Sequence, residues 1–129
     1  MTRTSVLVVD GDSAALDHCR TVLSAAGYAI DAAVNGRRAL EQIMARPPNV
    51  LITEILMADG DGIELICAVK QARFASRIIA IAERRLLGGL DLLDLAGKLG
   101  ADAVLEKPLN ADTLLAAVAR LAEARSGRS

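Results

Sequence analysis

The chain predicts a doubly wound α/β domain, on the strength of short β-branched runs, amphipathic helical periods between them, and charged residues where the runs end. Apolar runs of strand length stand at Val6 to Val9, Tyr28 to Val34, Val50 to Ile52, Ile78 to Ala82 and Ala103 to Leu105. Between them, helical spacing puts Leu16, Cys19, Val22, Leu23 and Ala26 on one face, then Leu40, Ile43 and Met44, then Ile63, Ile66 and Val69. The same spacing returns in Leu92, Leu95, Ala96 and Leu99, and in Leu114, Leu115, Val118 and Leu121. Gly27, Pro47-Pro48 and Gly100 read as helix stops, and Asp61 with Glu64 reads as a capping pair. Strand and helix alternating in this way imply a parallel sheet, because each parallel crossover is long and right-handed and lays a helix on one face.

Composition bounds the function. With 129 residues and 53% hydrophobic content, the chain suits one compact domain over 1–125, with a disordered tail at 126–129 and no room for an output domain. One Phe, one Tyr and no Trp argue against an aromatic platform for nucleic acid. A net charge of −1 supplies no field toward DNA or an anionic membrane. Cys19 and Cys67 fall in helical apolar patterns and read as buried thiols, which fits a reducing cytoplasm. No signal peptide or stretch of bilayer length is read, so the expectation is a soluble cytoplasmic protein.

Ligands of doubly wound sheets sit beyond the carboxyl ends of the strands. Asp10 ends the first run, Glu54 follows the third, Ala82 or Glu83 ends the fourth, and Lys107 follows the fifth. Carboxylates brought together repel unless a hard cation or an ammonium compensates them, so this edge reads as a divalent-metal and phosphate site.

Four motifs carry a resemblance: V-V-D at 8–10, D-G-D-G-I-E-L at 59–65, G-A-D-A-V-L at 100–105, and E-K-P-L at 106–109 with its cis-prone Lys107–Pro108 bond. Over roughly Ser5 to Ala124 the chain resembles the receiver domain of bacterial two-component response regulators. The resemblance implies a flavodoxin-like, three-layer fold with five strands in order 2-1-3-4-5 and five helices. It also implies an acidic pair binding Mg²⁺, a phosphoacceptor aspartate ending the third strand, a Thr or Ser ending the fourth, a lysine, and an aromatic switch on the fifth strand.

Matched position by position, the chain keeps Asp10 and Lys107 and departs elsewhere. Glu54 stands at the phosphoacceptor position, Gly11 at the second acid, Ala82 at the Thr or Ser, Val104 at the switch aromatic, and Met57-Ala58 where Met-Pro often follows. Asp12 is a poor substitute for the missing acid, and as the residue opening a helix it reads first as an N-cap. The acidic pocket is therefore expected to comprise Asp10, Asp12 and Glu54, with Mg²⁺ held only weakly by Asp10 and Glu54.

Glutamate adds one carbon–carbon bond of about 1.5 Å, which displaces the carboxylate from the point of in-line attack. Ala82 has no hydroxyl to bond a phosphoryl oxygen. Conversely, Glu54 is long enough to reach Lys107 and to place charge where a phosphoryl oxygen would sit. The expectation is a stand-alone, non-enzymatic pseudo-receiver that acts by binding proteins. The competing expectation is a phosphate-accepting receiver that uses Glu54, or a pocket rearranged around Asp10 and Asp12, with Mg²⁺. A flavin carrier ranks third, because no phosphate-cradling loop follows the first strand.

The remaining features carry bland readings beside functional ones. Asp59 and Asp61, alternating with Gly60 and Gly62, are turn residues rather than a calcium loop. His18 stands about 200° round the helix from Leu16 and reads as a solvated surface residue. The segment Leu86 to Leu99 holds more leucine than one stripe needs, and the loop Glu83 to Gly89 carries about three residues more than the family pattern. A fully packed helix and a contact surface weigh nearly equally there. The contact reading puts Arg84, Arg85, Leu90 and Leu93 against a histidine kinase, a phosphotransfer protein, another signalling protein or a second copy of the chain.

Overall fold

The computed structural model describes residues 3–57 and 62–126. The readings placed on Ala58, Asp59, Gly60 and Asp61, and on the tail 127–129, lie outside the described residues. Five strands form one parallel sheet: β1 (Ser5–Val9), β2 (Ala29–Ala33), β3 (Val50–Glu54), β4 (Arg77–Ala82) and, after a small hairpin of β5 (Leu86–Leu87) and β6 (Leu90–Asp91), β7 (Ala103–Glu106). Their order is β2-β1-β3-β4-β7, so the chain reverses direction across the sheet between β1 and β3. The helices are α1 (Ser13–Ala25), α2 (Gly36–Ala45), α3 (Gly62–Gln71), α4 (Leu92–Leu99) and α5 (Ala111–Ser126). Ser126 thus ends α5 rather than opening the tail.

The strands read as continuous apolar runs because both faces of the sheet are covered. Successive side chains point to opposite faces. Val6 and Val8 join Leu16, Cys19 and Leu23 of α1 and Leu114, Val118 and Leu121 of α5. Leu7 and Val9 join Ile43 of α2, Ile66 and Val69 of α3, and Leu92 and Ala96 of α4. Each such Leu, Ile or Val contributes about 1.5–3 kcal/mol relative to exposure. Residues expected inward that end up half-buried, such as Leu40 and Leu99, lie at the margins of these clusters.

Asx caps set the helix starts. The side chains of Asp12, Asn35 and Asp91 accept backbone N–H bonds at the N-termini of α1, α2 and α4, and Asn110 does the same before α5. After α1, Gly27 N–H donates to Ser24 O and Tyr28 N–H to Leu23 O, the paired bonds of a Schellman stop.

One segment departs from expectation. Residues 86–91 are not a loop leading into a longer leucine-rich helix; Leu86–Leu87 and Leu90–Asp91 pair antiparallel as the hairpin β5–β6. Gly88 and Gly89 both have positive φ, 55° and 85°, as a type I′ two-residue turn requires. Asp91 then accepts from Leu93 N and Asp94 N, which starts α4 only at Leu92.

Gly62 brings the start of α3 against the end of β3. A Cβ there would overlap the carbonyl oxygen of Glu54 and press on that of Ile55. Gly62→Ala is expected to destabilise the domain by about 3 kcal/mol, since backbone rather than a flexible side chain must give way. Urea unfolding checks this; a cost below about 1 kcal/mol would show that α3 can move off the strand.

Candidate functional site

The carboxyl ends of β1, β3, β4 and β7 meet at one edge of the sheet. Register places Val9 beside Thr53, Glu54 beside Ile81, and Ala82 beside Glu106. Lys107 N–H extends the ladder by donating to Ala82 O, and the Lys107–Pro108 peptide bond is cis. These constraints bring Asp10, Glu54 and Lys107 together from three strand ends.

The Lys107 ammonium lies 2.8 Å from Asp10 Oδ2 and 2.8 Å from Glu54 Oε2. All three side chains are nearly enclosed, at 13% exposure for Lys107, 3% for Asp10 and 12% for Glu54. Two carboxylates around one ammonium leave the cluster one negative charge in excess. Burial raises the Glu54 pKa, and the Asp10 charge adds to that, while the bond to Lys107 pulls the other way. Burial opposes the charge on Lys107, but its hydrogen bonds to Asp10 and Glu54 more than offset this and raise its pKa above the ordinary 10.5. The Cys19 thiol, buried behind the site, is pushed up to about 11 by burial and then by Asp10.

Asp12 does not join this cluster. Its side chain accepts from Ala14 N at 3.0 Å, capping α1, and only its backbone N–H approaches Asp10, donating to Oδ1 at 2.9 Å. The acidic pocket is therefore Asp10 and Glu54, not a trio with Asp12. Gly11 contributes no donor, although a Cβ there would meet nothing closer than Val34 O at 3.8 Å. Ala82 is buried and Val104 is half-buried against the α2, α3 and α4 side of the core.

Mg²⁺ demands near-octahedral oxygen ligands, and here Asp10 and Glu54 each give one carboxylate oxygen to Lys107. Among the described residues, no group of three or more His, Cys, Asp or Glu is arranged to hold a metal.

The expected contact surface is also redistributed. Leu90 is exposed beside Leu86 and Leu87 on the hairpin, but Leu93 packs against the core and leaves the surface set. Arg85 bridges to Asp91 at 3.1 Å across the hairpin base, and Arg84 is exposed. His18 is exposed yet tethered, its Nε2 being 2.9 Å from Leu109 O. Cys67 is half-buried rather than enclosed. Sequence reasoning named Glu83 only as a strand end, yet it borders cavities on both sides of the cluster. Its position immediately after the last β4 residue was the available signal.

A parallel sheet of this order, with an acidic pair and a lysine at its carboxyl edge, defines a receiver-type signalling domain. The chain belongs to the response regulator receiver domain family, whose model matches residues 6–119. Among curated relatives it is similar to the acid tolerance regulatory protein ActR of Rhizobium meliloti (strain 1021), at 32% identity over 114 residues, covering 88% of this chain and 57% of that protein. It is also similar to the response regulator MprA of Mycolicibacterium vanbaalenii, at 31% over 115 residues, covering 86% and 47%. The chain thus spans about half the length of these relatives. A CheY-like receiver domain from Methanospirillum hungatei JF-1 shares the fold at TM-score 0.90 and 24% identity, covering 99% of this chain and 100% of that one. Among the described residues, no helix is long and apolar enough to cross a membrane.

Lys107→Met leaves two facing buried carboxylates without their cation and should cost about 2–4 kcal/mol at neutral pH. A raised folded-state pKa on Lys107 means its stabilisation is fully present below the unfolded value of 10.5 and is lost as pH rises through the folded value. The raised Glu54 pKa has the same sign, favouring the fold below the unfolded value of 4.5 and losing that contribution as pH rises through its folded value. The deficit of the methionine variant should therefore narrow as Glu54 protonates in acid. Urea unfolding across pH measures it, and a constant gap would detach Lys107 from the two acids.

Proposed function

We propose that this receiver works by binding other signalling proteins without passing through a phosphorylated state, and that it carries out no catalysis of its own. The observation that carries the reading is the Lys107–Glu54 bond of 2.8 Å, made while the same ammonium holds Asp10. A phosphoryl group arriving at the third-strand end would need Lys107 as a partner, and that lysine already has two carboxylates. The glutamate also carries its negative charge toward the place a phosphoryl oxygen would take, which supports a domain held near an active-like arrangement. Loss of the hydroxyl at Ala82 and of the second acid at Gly11 removes two further supports for phosphoryl charge. On this reading Mg²⁺ is not required, and the protein works in the cytoplasm.

Incubation with a small-molecule phosphodonor and Mg²⁺ should leave the protein unlabelled, and Glu54→Asp alone should remain so. The triple change Gly11→Asp, Glu54→Asp and Ala82→Thr should restore a hydroxylamine-sensitive label at position 54, since a side chain at Gly11 meets no close neighbour. Stoichiometric hydroxylamine-sensitive label on Glu54 of the unaltered protein would overturn the reading in favour of a phosphate-accepting receiver.

The contact surface belongs to the hairpin and its approach, where Leu86, Leu87 and Leu90 are exposed beside Arg84. Histidine kinases, phosphotransfer proteins and a second copy of the chain are the partner classes to which this reading points. Arg84→Glu with Leu90→Asp should weaken partner binding about tenfold, or about 1.4 kcal/mol, without changing the melting temperature, because neither side chain is buried. Calorimetric titration against the genomic neighbours' kinase and phosphotransfer domains, with sedimentation for self-association, measures this; unaltered affinity would move the interface elsewhere.

A further inference from the structure

The β5–β6 hairpin does more than expose leucines. Through Leu87 it borders a partly open cavity of about 240 Å³ against Glu54, lined by Glu54, Ile55, Leu56, Ala82, Leu87 and Leu92, with Glu83 and Arg84 also lining it. At roughly 30 Å³ per water, this is space for about eight waters, or for one small organic molecule and little else. We infer that this cavity is a binding site for a compact primary alkylammonium ligand.

Three observations support it. Five of the eight lining residues are aliphatic, and Ala82 supplies a methyl group where a hydroxyl would have made the site polar. Within the cavity, Glu54 is a nearly enclosed carboxylate, whereas Lys107 lines the separate cavity on the other side of the cluster. Glu54 Oε2 takes the Lys107 bond at 2.8 Å. Glu83 and Arg84 are exposed and opposite in sign, so they offset one another and leave Glu54 to decide the charge of the ligand. An ammonium donating to Oε1 would neutralise the excess negative charge of the Asp10–Glu54–Lys107 cluster, while a short alkyl body displaces water from the aliphatic walls. Such an amine would offset the burial that raises the Glu54 pKa.

The site does not depend on whether Glu54 accepts phosphate, because it can be titrated with no phosphodonor present. n-Butylammonium chloride is the probe, with butyrate and 1-butanol as charge controls at the same ionic strength, followed by methyl chemical shifts of Ala82, Leu87 and Leu92. Saturable binding in about the millimolar range is expected for the ammonium alone, as suits a ligand of so few atoms. Leu87→Trp fills the cavity from an exposed hairpin position, and Glu54→Gln removes the charge at equal size; each should weaken binding about tenfold. Circular dichroism establishes that both variants fold, and either one suffices if the other does not. No saturable shift with butylammonium, equal binding of butanol or butyrate, or unchanged affinity in a folded variant would overturn the assignment.

Discussion

The ammonium of Lys107 is held by two carboxylates that come from different strands, and the carboxyl edge of the sheet is organised around that contact. Asp10 is almost fully enclosed at the end of β1, where ionised and unpaired it would be strongly destabilising. Glu54 meets the same requirement at the end of β3. Lys107 satisfies both, and its own backbone is fixed by the bond from its N–H to Ala82 O. One cation therefore ties the ends of β1, β3 and β7 together, and through its own N–H the end of β4. Anything that competes for that cation, a phosphoryl group included, must displace a carboxylate already bonded to it.

The excess of acid over base at this edge organises its surroundings as well. Burial, with the Asp10 charge added, makes Glu54 hold its proton more tightly, and the hydrogen bonds to Asp10 and Glu54 do the same for Lys107 against its own burial. The hairpin adds a second element particular to this chain. It places Leu87 against one side of Glu54, and the Arg85–Asp91 bridge with the bond from Leu92 N–H to Arg85 O fixes its base to the start of α4. The same few residues thus wall a cavity beside Glu54 and present apolar surface outward.

Some of this was legible from residue order. Five apolar runs became the five strands of the main sheet, because a strand covered on both faces must be apolar at nearly every position. Asp10, Glu54 and Lys107 could be grouped because the residue after each run falls at one edge of a parallel sheet. Asp12 carried two readings, and the N-cap placed first holds while its place in the acidic pocket does not: helix initiation claims its carboxylate, and local capping geometry wins over a longer reach. Leu93 was assigned outward because it falls off the stripe of Leu92, Leu95, Ala96 and Leu99, yet it packs against the core in the first turn of α4. Gly88-Gly89, read as part of a loop, is the turn of a hairpin.

The sequence by itself determined the period of each element, the helix stops at Gly27 and Gly100, and the chemical losses at Gly11, Glu54 and Ala82, because these depend on residue type and short-range spacing. Only the tertiary structure decided that Lys107 bonds both acids at once, that Cys19 and Asp10 are enclosed together, and that the hairpin borders a cavity against Glu54. Those facts depend on the register of strands far apart in the chain and on where a two-residue turn aims its leucines. Neither distance nor direction between such segments is written in the order of the residues, since both arise when the two faces of the sheet are packed.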